Sequence, residues 1–458
     1  HGHALTYAWS ATDGDANPAG SFDDATAQNP TWTAPANTTD AAVDYEIAVV
    51  VTCSEDDTAT DTGSYTQQVS PVAHTVTITD GPAGAPNPVA SGGQVVLLPK
   101  FVDNGRPIIG GIGKETRQRL IDSGLGAWRR GDDTSYYDPE GLKGLSIEML
   151  QEAGVQILLH SWCSDAVMED GTLAGAVTVS KAGKQAFLAK MVVDTTGDLD
   201  VAASAGIECE KSDFGIGVPF RIGGVDIARW QQARREDTNT TRDIHHKAWH
   251  AGGWDGFLGL DPIPTPKSGQ DVVWCNNLIR VADGLDPAVL TALEIEGRQM
   301  ADRAMDILRA EMPGWEKAWI IDVAVQTGVR ITRRLGGDYV LTDEDVAQFD
   351  FRHPDSVARG NDFRKEGIAY DIPRASLVSR NLPNLLSAGR SLSSTHVAME
   401  PIREIHVCWT SGHAAGVIAA RAVKEGKLPR ELCVVALRSE LLKQGAVVGG
   451  PEDTTGGN

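Results

Sequence analysis

Three segments that lie far apart in the chain combine glycine with the end of a strand or with a helix, the pattern by which a backbone lets a ligand come close. MVVDT runs into Thr196-Gly197-Asp198 ahead of the helical stretch VAASAG. NLLSAG reads as a short buried strand ending in a turn at Gly389-Arg390. From about Val407 a helix carries Gly412, Gly416 and Ala420 four apart, so one of its faces is smooth enough to press on a sheet or a ligand. Ligands of open α/β sheets bind at the carboxyl ends of strands, and the first turn of a helix offers unpaired N–H groups and a positive dipole end to negative charge. Taken alone, Thr196-Gly197 is also consistent with a tight strand-to-helix turn capped by Asp200.

Other stretches look chemical and fail on inspection. PIIGGIGKET (107–116) approaches a phosphate-binding loop, but Ile108 stands at the first glycine position and Glu115 at the Ser/Thr position. His246 and His250 have the spacing of a zinc helix, yet Lys247 replaces the glutamate and no third ligand is evident. Trp230, Trp249, Trp254 and Trp274 are better suited to core packing than to stacking on a ligand ring. Arg330, Arg333 and Arg334 form a basic group; Arg330 either holds an anionic or polyhydroxylated substrate or partners Asp338 or Asp343.

The elements that must position these residues alternate between helix and strand after about residue 94, which argues for an α/β body. Asp138 is placed to cap a helix with Pro139 at its first position and Leu142, Leu145, Met149 and Leu150 at helical spacing. VQILLH (155–160) is expected as a buried strand, followed by short strands around Ala166, Gly175 and Phe187 with the turns EDG and KAGK between them. Before this body, residues 4 to 80 are rich in Thr, Val, Ala and Asp, with alternating runs such as YEIAVVV and HTVTIT, the chemistry of strands. Residues 81 to 93 hold little besides Gly, Pro and Ala and read as a linker.

Charge is placed unevenly. The formal net charge is -21, and residues 1 to 99 hold twelve acids and no Lys or Arg. An acidic surface repels phosphate backbones and anionic lipid, so neither nucleic acid nor a membrane surface is expected as a partner. The six cysteines show no CxxC pair and the acidic groups no ligand spacing, so no metal is expected. The chain starts at His1 rather than Met, as expected of a processed, trimmed or fragmentary start.

Two resemblances follow from these segments. LTYAWSATDGD, GSFDDATAQNPTWTAPA and YEIAVVVTCSEDD resemble immunoglobulin-like or PKD-like modules, which implies a partial β-sandwich with Trp9 in its core. VVDTTGDLDVAASAG, FRIGGVD (220–226), TGVRITRRLGGDYVLTDEDV (327–346) and the AGR, STH and GxAAG series between Ala388 and Gly416 resemble the FAD-dependent oxidoreductase family over about residues 91 to 435. That resemblance implies FAD as cofactor. Thr196, Gly197 and Asp198 with Cys163 would lie near the adenosine half, and Gly389 and Arg390 near the ribityl and pyrophosphate region. Gly412, His413, Ala414 and Ala415 would meet the flavin pyrimidine edge. His396 and Arg403 would stand nearest the reacting ring, where an imidazole accepts a substrate proton and a guanidinium holds negative charge. The chain departs from the family at Met399, Glu400 and Glu404, which alter charge beside the expected site, and at its front, where no strand, GxGxxG turn and helix are found.

The expected fold is therefore an α/β flavoprotein-like body with an α+β substrate domain, preceded by an all-β immunoglobulin-like module. Its divisions are 1–80 sandwich, 81–93 linker, 94–210 first part of an FAD-binding domain, 211–350 substrate-binding domain and 351–458 C-terminal FAD-binding part and tail. The expected activity is removal of a hydride from a small polar substrate to flavin N5. The alternative is a non-catalytic surface or binding protein, or a fusion fragment, whose flavoprotein portion no longer binds FAD. Expected partners are the small-molecule substrate and either a second copy of the chain or a chain supplying the missing nucleotide-binding unit. An extracellular or cell-surface place goes with a native immunoglobulin-like module and a cytoplasmic one without it.

Overall fold

A computed structural model describes residues 97–450 except 104 and 130–132, together with strands and short segments between residues 5 and 78. Ten helices among the described residues order the body. The first, α1 (Gly111–Asp122), and α2 (Pro139–Glu152) flank the antiparallel strands Gly126–Trp128 and Ser135–Tyr137. The cap predicted for α2 is present: Asp138 accepts from Gly141 N at 2.9 Å with Pro139 at the first helical position. Its other carboxylate oxygen reaches outside the helix, to Arg221 Nη1 at 3.2 Å and Ser268 Oγ at 2.7 Å.

After α2 come the three antiparallel strands Trp162–Glu169, Thr172–Ser180 and Gly183–Leu188, as the turns EDG and KAGK required. Val192–Asp194 follows and leads into the short α3 (Asp200–Ser204). It pairs in parallel with Leu385–Ser387, the strand read from NLLSAG. Its other edge pairs in parallel with Val76–Ile78.

Two expectations are corrected by this sheet. HTVTIT was read as part of the N-terminal sandwich, but its Val76–Ile78 belongs to the parallel sheet of the body. VQILLH was read as a buried strand, but it forms none: Val155, Leu158 and Leu159 are 44%, 47% and 46% exposed. Both edges of Val192–Asp194 are already taken, which leaves no parallel partner there for residues 155–160.

The middle of the chain is a second layer. Phe220–Gly223, Leu258–Pro262, Val273–Asn277 and Trp319–Val323 form one antiparallel sheet. Helices α4 (Ile227–Glu236), α5 (Thr238–Gly252) and α6 (Pro287–Glu311) accompany it. Their shared core contains Phe220, Val273, Leu293, Met305 and Trp315, all essentially inaccessible. Trp230, Trp254 and Trp274 are buried, in line with the packing role expected of them. The chain then returns through α7 (Asp343–Ala347), α8 (His396–Ile402), α9 (Ile405–Glu425) and α10 (Val434–Lys443), which enclose a second large core with the parallel sheet.

Among the described N-terminal residues, Leu5–Thr12, Val43–Cys53 and Asp56–Val69 form one antiparallel sheet, with Ala11 and Ile47 buried. The side chain of Trp9 and the linker 81–93 lie outside the described residues. No helix among the described residues is long and apolar enough to cross a membrane.

Candidate functional site

The three glycine-bearing segments meet. Gly197 has φ +86° and Gly389 φ +75°, values that favour glycine. A Cβ on Gly197 would lie 2.6 Å from the guanidinium of Arg390, so the two strand ends are locked by close approach. Gly389 N donates to Ser411 Oγ of α9 at 3.0 Å, and a Cβ on Gly389 would sit 3.5 Å from the Cys408 sulfur.

The turn after Val192–Asp194 is built from its own polar groups. Asp194, fully buried, accepts from Thr196 N at 3.1 Å, Thr196 Oγ1 at 2.7 Å and Ala202 N at 3.1 Å. Thr196 Oγ1 in turn accepts from Asp200 N at 2.9 Å, so Thr196, not the Asp200 side chain, satisfies the start of α3. Asp200 sits among carboxylates. Burial and the charges of Asp198 and Asp194 push it up to about 6, against the opposing pull of Arg333 at 3.0 Å. Cys163 is buried beside this turn, and burial with the charges of Asp194 and Asp200 pushes its thiol up to about 12.

Arg390 differs from its expected surroundings. Its side chain is wholly inaccessible and Nη1 lies 2.7 Å from Asp198 Oδ1. Thr332 Oγ1 donates to the same Asp198 oxygen. The pair therefore bridges the turn at Gly197 and the turn at Gly389 from inside the protein.

The helix expected from Val407 starts two residues earlier, at Ile405. Gly412 to Ala415 consequently lie beyond its first turn. Ala414 and Ala415 are buried in the core, and His413 is buried with Nε2 2.8 Å from Gln444 Oε1. At Gly412 and Gly416 a Cβ would meet nothing within 4 Å, so the small residues leave room beside α9.

A second constellation forms around Phe214. His396, at the start of α8, lies with its ring centroid 5.6 Å from that of Phe214, and the Arg403 guanidinium stands 5.3 Å from the Phe214 centroid. Arg403 closes α8, and its Nη1 is 3.7 Å from Glu404 Oε1. His396 Nδ1 is 2.8 Å from Ser212 Oγ, which also receives a hydrogen bond from Arg334 Nη1. A guanidinium only donates, so Ser212 accepts from Arg334 and its own hydrogen is available to Nδ1. Ser212 also keeps a second lone pair, so the contact fits either tautomer of His396. Arg334 is itself fixed by donating from Nε to Ser394 O at 3.0 Å.

Arg330 approaches the same place from the middle layer. It donates to Gly215 O at 3.1 Å, Gly328 O at 3.2 Å and Asn277 O at 3.3 Å. Burial, with the charge of Arg403 adding to it, lowers its pKa to about 9, which leaves it protonated at neutral pH. Neither expected acid partners it: Asp338 faces Arg430 at 3.8 Å, and Asp343 accepts from Thr395 Oγ1. Met399 is fully buried, and Glu400 pairs with Arg364 at 3.1 Å, so of the three departures only Glu404 brings charge to Arg403. Ser212 and Phe214 escaped the sequence reading. Ser212 is 184 residues from His396, and nothing in KSDF marks it.

No three His, Cys, Asp or Glu side chains among the described residues are placed to hold a metal ion.

Comparison with known proteins gives one family assignment. The family model described as FAD dependent oxidoreductase matches residues 89–441. No curated protein matches the chain. Among solved structures, p-nitrophenol 4-monooxygenase from Pseudomonas putida DLL-E4 is similar at 13% identity and a TM-score of 0.39, over 81% of this chain and 79% of that one. A geranylgeranyl bacteriochlorophyll reductase-like protein from Thermoplasma acidophilum gives 14% identity and 0.37, over 69% of this chain and 62% of that one. L-amino acid deaminase from Proteus vulgaris, lacking its specific insertion sequence, gives 13% and 0.30 over 71% and 61%. The match thus spans about three fifths of the length of the last two. With the family model covering residues 89–441, the chain belongs to the family of FAD dependent oxidoreductases, whose cofactor is FAD.

Proposed function

We propose that this chain takes part in the oxidation of a small polar substrate, with the reaction centred on His396, Ser212, Phe214, Arg330 and Arg403. The observation that carries the reading is that α8 brings an imidazole and a guanidinium, His396 and Arg403, to the ring of the remote Phe214, while Arg330 donates to the carbonyl of the adjoining Gly215.

The residues fit a flavin in kind. Arg403 Nε and the hydroxyls of Ser393 and Ser394 are buried without a hydrogen-bond partner among the described residues. Unpaired buried donors are costly, and these suit the acceptor-rich pyrimidine edge of an isoalloxazine. Ser393, Ser394 and Arg403 would hold that edge. When bound, FAD supplies the acceptor for a hydride, at its N5.

The chain's own groups then bind and orient. Arg403 and Arg330 place two positive charges where a carboxylate or a developing oxyanion is favoured. His396 was expected to take the substrate's proton. Nδ1 is held by Ser212, which leaves Nε2 for that role. Arg390 acts by holding the turns at Gly197 and Gly389 together.

The test is an absorbance spectrum and a melting curve of the purified chain, each with and without added FAD. Bound flavin should give its visible bands after gel filtration and raise the melting point by mass action. A colourless protein with an unmoved melting point would instead support the non-catalytic binding protein.

A further inference from the structure

A second pocket lies in the middle layer, away from the Phe214 constellation and sharing no residue with it. Its cavity of about 240 Å³ is bounded by α4, α5, the strand Leu258–Pro262 and Met312 just beyond α6. The wall is formed by Trp230, Leu260, Met312 and the half-buried His245, and the rim is basic, formed by Arg234 and Arg242.

The basic rim is unusual for this chain. The protein carries 62 acids against 41 Lys and Arg, yet no acid among the described residues lines the pocket, although Asp261 beside Leu260 lies within electrostatic reach of Arg234. Arg234 has no ion pair among the described residues; its guanidinium stands 5.4 Å from the Trp230 ring centroid. Arg242 reaches only its neighbour Asp243, at 3.8 Å on an exposed surface. Such a contact contributes little, so both guanidiniums keep donors for another anion. The walls are rigid by comparison. Trp230 is buried and packs edge-to-face on Trp315 at 5.1 Å, and His245 is tied to the Leu258 carbonyl at 2.8 Å. The volume falls below the roughly 300–1,000 Å³ of drug-sized sites, which limits the occupant to a small molecule.

We propose that this pocket binds a small organic carboxylate, its apolar body against Trp230, Leu260 and Met312 and its anionic end between Arg234 and Arg242. The rim supplies charge and the wall supplies the discrimination between such a compound and a bare inorganic anion.

Phenylacetate is the probe, measured by calorimetric titration of the full chain. One equivalent should bind, and Arg234→Ala and Arg242→Ala should each weaken binding by about tenfold or more, the scale of a lost charge-assisted hydrogen bond. Both side chains are exposed on helices, so folding is checked by an unchanged melting point in the absence of ligand. The neutral isostere phenylacetamide should bind at least about tenfold more weakly. Arg403→Ala should leave unchanged the phenylacetate binding that depends on Arg234 and Arg242. No heat at millimolar phenylacetate, equal affinity in both arginine variants, or loss on Arg403→Ala alone would overturn the assignment. Inorganic phosphate competing as well as phenylacetate would overturn the organic class, since the apolar wall would then recognise nothing.

Discussion

Replacing Arg390 by methionine keeps an unbranched apolar stem, though a shorter one, and removes the charge. Asp198 is 1% exposed and Arg390 wholly inaccessible, so the variant leaves a buried carboxylate with the Thr332 hydroxyl and no cation at 2.7 Å. Breaking a buried pair on one side costs about 3–5 kcal/mol, whereas replacing both partners by uncharged groups of similar shape is often neutral. Arg390→Met should therefore lose about 3–5 kcal/mol. Asp198→Asn with Arg390→Met should recover at least half of that loss, so the coupling in a double-mutant cycle should be at least about 1.5 kcal/mol. Urea unfolding followed by tryptophan fluorescence measures all four proteins. Additive losses, with the double variant worse than either single one, would refute the view that this pair locks the two turns.

Two further outcomes follow from the same region. Asp200 is pushed up to about 6 from an ordinary 3.8, so the folded state holds its proton more tightly than the unfolded chain. That contribution favours folding below about pH 4 and is lost as pH rises through about 6. Asp200→Asn should accordingly gain on the wild type across this window, by up to about 3 kcal/mol; urea midpoints that stay parallel from acid to neutral pH would contradict it. Ser212→Ala should free His396 Nδ1 and shift the ring-nitrogen NMR signals of His396. Ring-nitrogen signals left unchanged by the substitution would remove Ser212 from the site.

Signals confined to a few consecutive residues were readable. Asp138-Pro139 specified a cap, EDG and KAGK specified two turns, and MVVDT and NLLSAG specified strands whose parallel pairing the structure supplies. What failed depended on occupancy. VQILLH has the composition of a strand, but a strand exists only where a neighbour offers hydrogen bonds, and those edges belong to Val76–Ile78 and Leu385–Ser387. Arg390 shows the same limit for side chains: its place beside glycine suggested a ligand contact, while a carboxylate 192 residues away draws it inward. Ser212 has no local signature at all, because its role exists only once α8 and the strand Arg333–Arg334 come together.

The parallel pairing of Val76–Ile78 with Val192–Asp194 has a practical bearing on dissection. Proline- and glycine-rich residues 81–93 invite a protease or a cloning boundary, since such stretches ordinarily separate independent units. A cut there would carry away the outermost member of the parallel sheet with the N-terminal piece and expose a row of unsatisfied amides along Val192–Asp194. A shortened protein intended to retain the intact sheet must begin upstream of Val76.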